Sequence, residues 1–105
     1  MSTRENGFIK HDTDKLDYTL VDPCVMAAIA HVSAHGAKKY GRENWKLAFE
    51  AEDGVATYHK ALLRHLVAYQ SGEAVDAESG CPHLYHAAWN IMAMIYGTYV
   101  HGGGR

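Results

Sequence analysis

Apolar residues fall at helical spacing from Pro23 onward, whereas residues 1 to 21 show no such period and are rich in charge. That first stretch reads as an extended arm in which FIK and KLDYTLV can pair or pack locally. Asp22-Pro23 is a helix-start signature, since aspartate caps the first turn and proline at the first helical position loses no hydrogen bond. Val25, Met26, Ile29, Val32 and Ala37 then recur three or four apart, which predicts a helix over about 23–40, relaxing near Gly36 and closed by Gly41. Residues 41 to 53, GRENWKLAFEAED, predict a short turn capped by Asn44 that carries Trp45, Leu47 and Phe49 into the core.

Asp53-Gly54 opens a second helix, on which Tyr58, Leu62, His65, Leu66 and Tyr69 share a face, and Ser71-Gly72 ends it. A loop follows over 72–81, and Pro82 begins a third helix that runs to about His101, with residues 102–105 fraying. Neither strand-like alternation nor an internal repeat interrupts this order. The expected fold is all-α: a small bundle of three main helices and a short one, in a single domain over 1–105. Leu84, Trp89, Ile91, Met92, Met94, Ile95 and Tyr96 make the third helix apolar on several faces. Three helices do not cover such an element all round, so a homo-oligomer is expected to complete the bundle.

Composition narrows the function classes. A chain of 105 residues, 48% hydrophobic and 21% charged, suits one ordinary globular domain. Its net charge of -2 gives no basic field for polymeric nucleic acid, although a single nucleotide needs only a few local donors. Cys24 and Cys81 form no Cys-x-x-Cys pair, the first residues lack a signal-peptide core, and no stretch reaches membrane-spanning length. A reduced, cytoplasmic protein without membrane attachment is the expectation.

Eight histidines are the unusual feature. His83, His86 and Asn90 lie three and four apart on one stripe of the third helix, where polar groups need partners or a cavity. His65 and Arg64 sit on the second helix, two turns before an acidic loop. Within that loop Glu73, Asp76 and Glu78 offer the hard oxygen ligands of a Mg²⁺ site, and equally suit a solvated loop, a salt bridge to Arg64 or the positive end of the next helix. GAKKYGRENW (36 to 45) brings Lys38, Lys39, Tyr40, Arg42, Asn44 and Trp45 together, enough to grip phosphates and stack on a base. A cationic helix end with Trp45 plugging the core explains the same residues. His83-x-x-His86 alone does not indicate zinc, and His11-Asp12 lies in the non-helical arm.

Three stretches in one order, KHDTDKLDYTLVDP (10 to 23), GAKKYGRENW (36 to 45) and ALLRHLVAYQSGEAVDAESGCPHLYHAAWN (61 to 90), resemble the phage-associated dATP/dGTP diphosphohydrolase N-terminal domain family. The resemblance spans roughly residues 10 to 96. It implies an all-α nucleotide-handling protein, distantly similar to the MazG-like pyrophosphohydrolases, which hold Mg²⁺ on helix-borne Glu-x-x-Glu and Glu-x-x-Asp pairs. This chain departs from that pattern: His83 and His86 stand where the later acidic pair would be, and only Glu73-x-x-Asp76 keeps the spacing.

Two functions follow. The first is cleavage of a purine deoxynucleoside triphosphate to monophosphate and pyrophosphate, in the host cytoplasm if the gene is phage-borne. Glu73, Asp76 and Glu78 would then hold Mg²⁺ or Mn²⁺, and His65, His83 or His86 would serve as acid or base. Lys38, Lys39, Tyr40, Asn44, Trp45, Arg64 and Asn90 would bind the substrate. The second is capture of a nucleotide, or of a cyclic nucleotide signal, without cleavage.

Overall fold

A computed structural model describes residues 2–3, 7, 9–10 and 15–102. His11-Asp12 and residues 103–105 of the expected frayed tail lie outside the described set. In the arm, β1 (Ser2–Thr3) and β2 (Ile9–Lys10) form a two-residue antiparallel ladder that pairs Thr3 with Ile9. A single 3₁₀ turn follows over Tyr18–Leu20, capped by the Asp17 carboxylate, which accepts from the Thr19 N–H at 3.0 Å. Leu16 and Leu20 are more than 80% exposed, so the turn is held by this cap and not by packing.

α1 spans Pro23–Tyr40, and Asp22 caps it by accepting from the Cys24 N–H at 2.8 Å. Replacing such a cap by alanine costs about 1 kcal/mol. α1 runs through Gly36 without relaxing and stops at Gly41, whose φ of 93° an L side chain resists. Its buried positions are Ala28 and Val32, while Met26 lies off that face and is exposed.

A 3₁₀ helix over Asn44–Glu50 comes next. Asn44 is not its cap: Glu43, in the left-handed region at φ 62°, makes the turn, with no side-chain capping bond. Three residues per turn align Asn44, Leu47 and Glu50 on one ridge, and all three are exposed. Leu47 therefore faces away from the core, whereas Phe49 is buried and Trp45 half-buried.

α2 spans Gly54–Gln70. Asp53 holds its first turn through the backbone carbonyl, which accepts from both the N–H and the hydroxyl of Thr57. Gly54 is required by proximity, because a Cβ there would meet the Ala48 carbonyl oxygen at 2.4 Å. The chain leaves α2 through Gly72, at φ 97°.

What reads as a loop over 72–81 is an ordered hairpin. Val75 bridges Pro82, the Asp76 N–H donates to the Cys81 carbonyl, and the His83 N–H donates to the Ala74 carbonyl. Gly80, at φ 74°, closes it by donating to the Asp76 carbonyl. These bonds fold Glu73 and Asp76 back onto the start of the next helix. α3 spans His83–Ile95, with Pro82 at its cap, and continues as a π-helical segment over Tyr96–His101.

The architecture is an all-α bundle in which α3 packs along α2 on one side and against α1 on the other. Its core is built from small residues, Ala28, Ala87 and Ala93, with Val32 and the single large ring of Phe49. Alanine at these positions lets helix backbones approach closely but buries little area per residue. Leu84, Ile91, Ile95, Tyr99 and Val100 of α3 and its continuation stay exposed in the single chain. Cys24 and Cys81 are free thiols. Among the described residues, no helix is long and apolar enough to cross a membrane.

Candidate functional site

Between the C-terminal half of α1, the Gly41–Trp45 segment, α2 and α3 lies a cavity of about 860 Å³. This is within the range of roughly 300–1,000 Å³ typical of small-molecule sites. Tyr40, Asn44, Trp45, Arg64, His65, His86 and Asn90, predicted from three separate stretches of sequence, all line it. Lys38, Lys39, His83 and the three acids do not.

Aromatic rings form one wall. Trp45 meets Trp89 at 5.5 Å and 73°, and Tyr58 meets Trp89 at 5.5 Å and 70°. These edge-to-face pairs fix the rings. The Tyr58 hydroxyl donates to the Trp45 carbonyl at 2.7 Å, pinning the 3₁₀ helix to α2, and the Trp89 indole N–H donates to Ser33 Oγ at 3.1 Å. Trp45 is thus at once a core residue and a cavity wall. Arg42 and Arg64 contribute the cationic lining, and among the described residues no ion pair occupies either guanidinium. Lys39 is engaged elsewhere: its Nζ lies 2.5 Å from Glu78 Oε1, tying α1 to the hairpin. That carboxylate pushes the lysine pKa up to about 12. Lys38 is exposed outside the cavity.

Beside the cavity the three histidines converge. His65 and His86 stack at 4.4 Å with 5° between their planes, and His65 Nδ1 lies 2.9 Å from His83 Nδ1. His83 is buried, and its Nε2 lies 2.9 Å from Glu73 Oε1. The carboxylate accepts there, so Nε2 carries the proton. On the other side, Ser79 Oγ is 2.9 Å from Asp76 Oδ2, 2.6 Å from His86 Nε2, and accepts from the Cys81 N–H at 3.1 Å. Ser79 has one hydroxyl proton, and an ionised Asp76 can only accept it. His86 Nε2 must therefore donate to Ser79, which leaves the His86 Nδ1 lone pair available. Asn90 is buried and donates to the His86 carbonyl at 2.8 Å.

Burial lowers the His65 pKa below the ordinary histidine range, helped by repulsion from His86 and His83. Burial likewise lowers that of His86, against the opposing pull of Asp76. For Asp76, burial acts upward, but the Ser79 N–H and hydroxyl bonds and the histidine charges outweigh it and the pKa falls. The sign for stability follows by linkage. Below the unfolded histidine value of 6.5 the unfolded chain takes up protons that folded His65 and His86 resist, so stability drops as pH falls through that value. Asp76 adds a further loss only at still lower pH, near and below its ordinary 3.8. Thermal melts in the presence of EDTA should accordingly show a lower Tm at pH 5 than at pH 7.5. The double variant His65→Gln, His86→Gln should flatten that slope.

The three acids predicted as one ligand set are separated by their partners. Glu73 binds His83, Asp76 is held by Ser79 and lies 3.7 Å from His86, and Glu78 pairs with Lys39. What gathers instead is His65, Asp76 and His83, each offering one ligand atom within 4.8 Å of the others. Ser79 and Trp89 are site residues that the sequence pattern does not mark as such, whereas Arg42 belongs to the cationic stretch it does mark. For Ser79 the signal lies in Asp-x-x-Ser, where the aspartate side chain accepts from the N–H and hydroxyl three residues on.

The sequence model of the dATP/dGTP diphosphohydrolase N-terminal family matches residues 5–100. The chain belongs to this family. A curated relative, the dATP/dGTP diphosphohydrolase of Salmonella phage PMBT28, is 34% identical over 89 residues, 84% of this chain and 29% of the relative. This diphosphohydrolase-family chain thus spans less than a third of that relative's length. No solved structure matches it. The family match covers every cavity-lining and histidine-cluster residue described above.

Proposed function

We propose that this chain is a nucleotide pyrophosphohydrolase that cleaves dATP or dGTP to the monophosphate and pyrophosphate. The observation that carries the reading is the joining of two halves. An aromatic, arginine-lined cavity of nucleotide size opens onto a cluster of histidines backed by carboxylates. Trp45, Tyr58 and Trp89 suit a purine face, Asn44 and Asn90 suit its polar edge, and Arg64 and Arg42 suit phosphate oxygens.

His86 fits the role of general base. It lines the cavity, is held neutral near pH 7 by burial, and has its Nδ1 lone pair available. It would accept a proton from the attacking water as the water oxygen bonds to the α-phosphorus. The bond from that phosphorus to the bridging oxygen breaks, and the electron pair leaves with pyrophosphate. Asp76, 3.7 Å from His86 Nε2, stabilises the imidazolium that forms. Arg64 offsets charge developing on the phosphate oxygens.

Mg²⁺ prefers near-octahedral oxygen ligands, and Glu73, Asp76 and Glu78 are each committed to a different basic or hydroxyl group. They do not fit a protein-built Mg²⁺ cage. Mg²⁺ enters here as part of the substrate, bound to the triphosphate.

Those same commitments favour a second reading, capture without cleavage, because acids already engaged serve structure as well as chemistry. Nucleotide binding tests what the two readings share. Arg64→Ala is expected to weaken dGTP binding by roughly tenfold to a hundredfold by calorimetry, the scale of a lost charge-assisted contact. Unchanged affinity in that variant would remove the cavity from the proposal.

A further inference from the structure

The geometry points to a binding site for one first-row transition ion (the Mn²⁺, Co²⁺, Zn²⁺ class) formed by His65 of α2, Asp76 of the hairpin and His83 of α3. The inference rests on the hydrolase reading only for the site's use, not for its existence. Three segments distant in sequence bring two imidazoles and one carboxylate to within 4.8 Å of one another. The facing ring atoms are His65 Nδ1 and His83 Nδ1, 2.9 Å apart. Only one proton fits between them, so without an ion one ring must donate and the other accept. Two nitrogens each bonded at about 2.1 Å lie roughly 3.0 Å apart around an octahedral ion and about 3.4 Å apart around a tetrahedral one. The imidazoles therefore already stand at ligand spacing, and an ion would replace the proton they share.

The surroundings are those of a built site. Glu73 accepts from His83 Nε2–H and so fixes the tautomer that presents Nδ1 as a lone pair, the arrangement in which a carboxylate orients a ligating histidine. Ser79 holds the Asp76 carboxylate through both its N–H and its hydroxyl. His86, stacked on His65, keeps that ring from turning. Two imidazoles and one carboxylate favour borderline ions over Mg²⁺, which explains why acids that cannot make a Mg²⁺ cage are nevertheless gathered around histidines. Because His65 also lines the cavity, the ion would border the bound nucleotide and keep positions open toward it.

The test is binding of metal alone to the full chain after chelator treatment. Co²⁺ should bind with 1:1 stoichiometry by calorimetry and give visible d–d bands of nitrogen–oxygen coordination, and Mg²⁺ in excess should not displace it. His83→Ala and Asp76→Asn should each lower Co²⁺ affinity at least a hundredfold, and Glu73→Gln tenfold to a hundredfold. His59→Gln, an exposed histidine outside the cluster, should leave it unchanged. Glu73 is exposed, so its variant keeps the test decisive should a buried substitution unfold the chain. No saturable Co²⁺ binding, or binding untouched by Glu73→Gln and Asp76→Asn, would overturn the site. Nucleotide turnover with Mg²⁺ is read separately: turnover without a Co²⁺ site refutes the ion and leaves the hydrolase. A Co²⁺ site without turnover does the reverse.

Discussion

His86→Gln is expected to bind dGTP with nearly wild-type affinity and to release pyrophosphate about 10²–10⁴ times more slowly, the range for loss of a positioned base. The reasoning is a proton count. Ser79 has one hydroxyl proton and gives it to Asp76, so His86 donates from Nε2 and keeps a lone pair on Nδ1. Glutamine can still donate to Ser79 and fill much of the imidazole's volume, which preserves the hairpin, but it cannot take up a proton near neutral pH. The loss should therefore fall on kcat and not on KM. A change in KM alone, with kcat retained, would place His86 among the binding groups and leave the base to another residue. Ser79→Ala offers a milder companion. It removes the hydroxyl between Asp76 and His86 without removing the imidazole, and its rate should lie between wild type and His86→Gln.

The second large effect concerns the fold. Gly97→Ala should destabilise the chain by about 1–3 kcal/mol, the scale of overpacking in a filled core. In a domain of this size that lowers Tm by roughly 4–8 °C per kcal/mol. A Cβ at Gly97 would lie 2.3 Å from Phe49 Cε1 and 2.9 Å from Val55 Cγ2. The Phe49 ring has nowhere to go, since Trp45, Tyr58, Tyr96 and His101 surround it at centroid distances of 5.5 to 6.1 Å. Phe49→Leu removes the clashing ring edge. The double variant should therefore be more stable than the sum of the two single losses implies, and a thermal-melt cycle measures that coupling. Strict additivity would show that Phe49 and Gly97 do not share the contact described.

Legibility in the sequence followed the range of the forces involved. The ends of α1 and α2 were readable because Asp22-Pro23, Gly41, Asp53-Gly54 and Ser71-Gly72 act through local backbone geometry. Trp45, Leu47 and Phe49 suggest one turn facing the core, but the segment winds with three residues per turn and sets Leu47 on the exposed ridge. The hairpin over 72–81 was invisible for a different reason. Its order comes from backbone bonds between Ala74 and His83 and between Asp76 and Cys81, which leave no mark in residue type.

That hairpin also decides the site. The stripe of His83, His86 and Asn90 was visible from spacing alone, and so was the cationic and aromatic stretch around Trp45. Periodicity could not show that Glu73 and Asp76 would each turn to a different histidine, or that Glu78 would reach across to Lys39. A count of acids in a loop says how much negative charge is present, and only the fold says what that charge faces.

Hydrolysis of a purine deoxynucleoside triphosphate in the cavity beside the histidine cluster is the activity proposed. It is tested most directly by incubating the chain with dATP and dGTP, with Mg²⁺ and with Mn²⁺, and separating the products by ion-exchange chromatography. The deoxynucleoside monophosphate and pyrophosphate should form in equal amounts, and His86→Gln should form them about 10²–10⁴ times more slowly. Nucleotide recovered intact from a chain that binds it under every one of these conditions would contradict hydrolysis and establish capture instead.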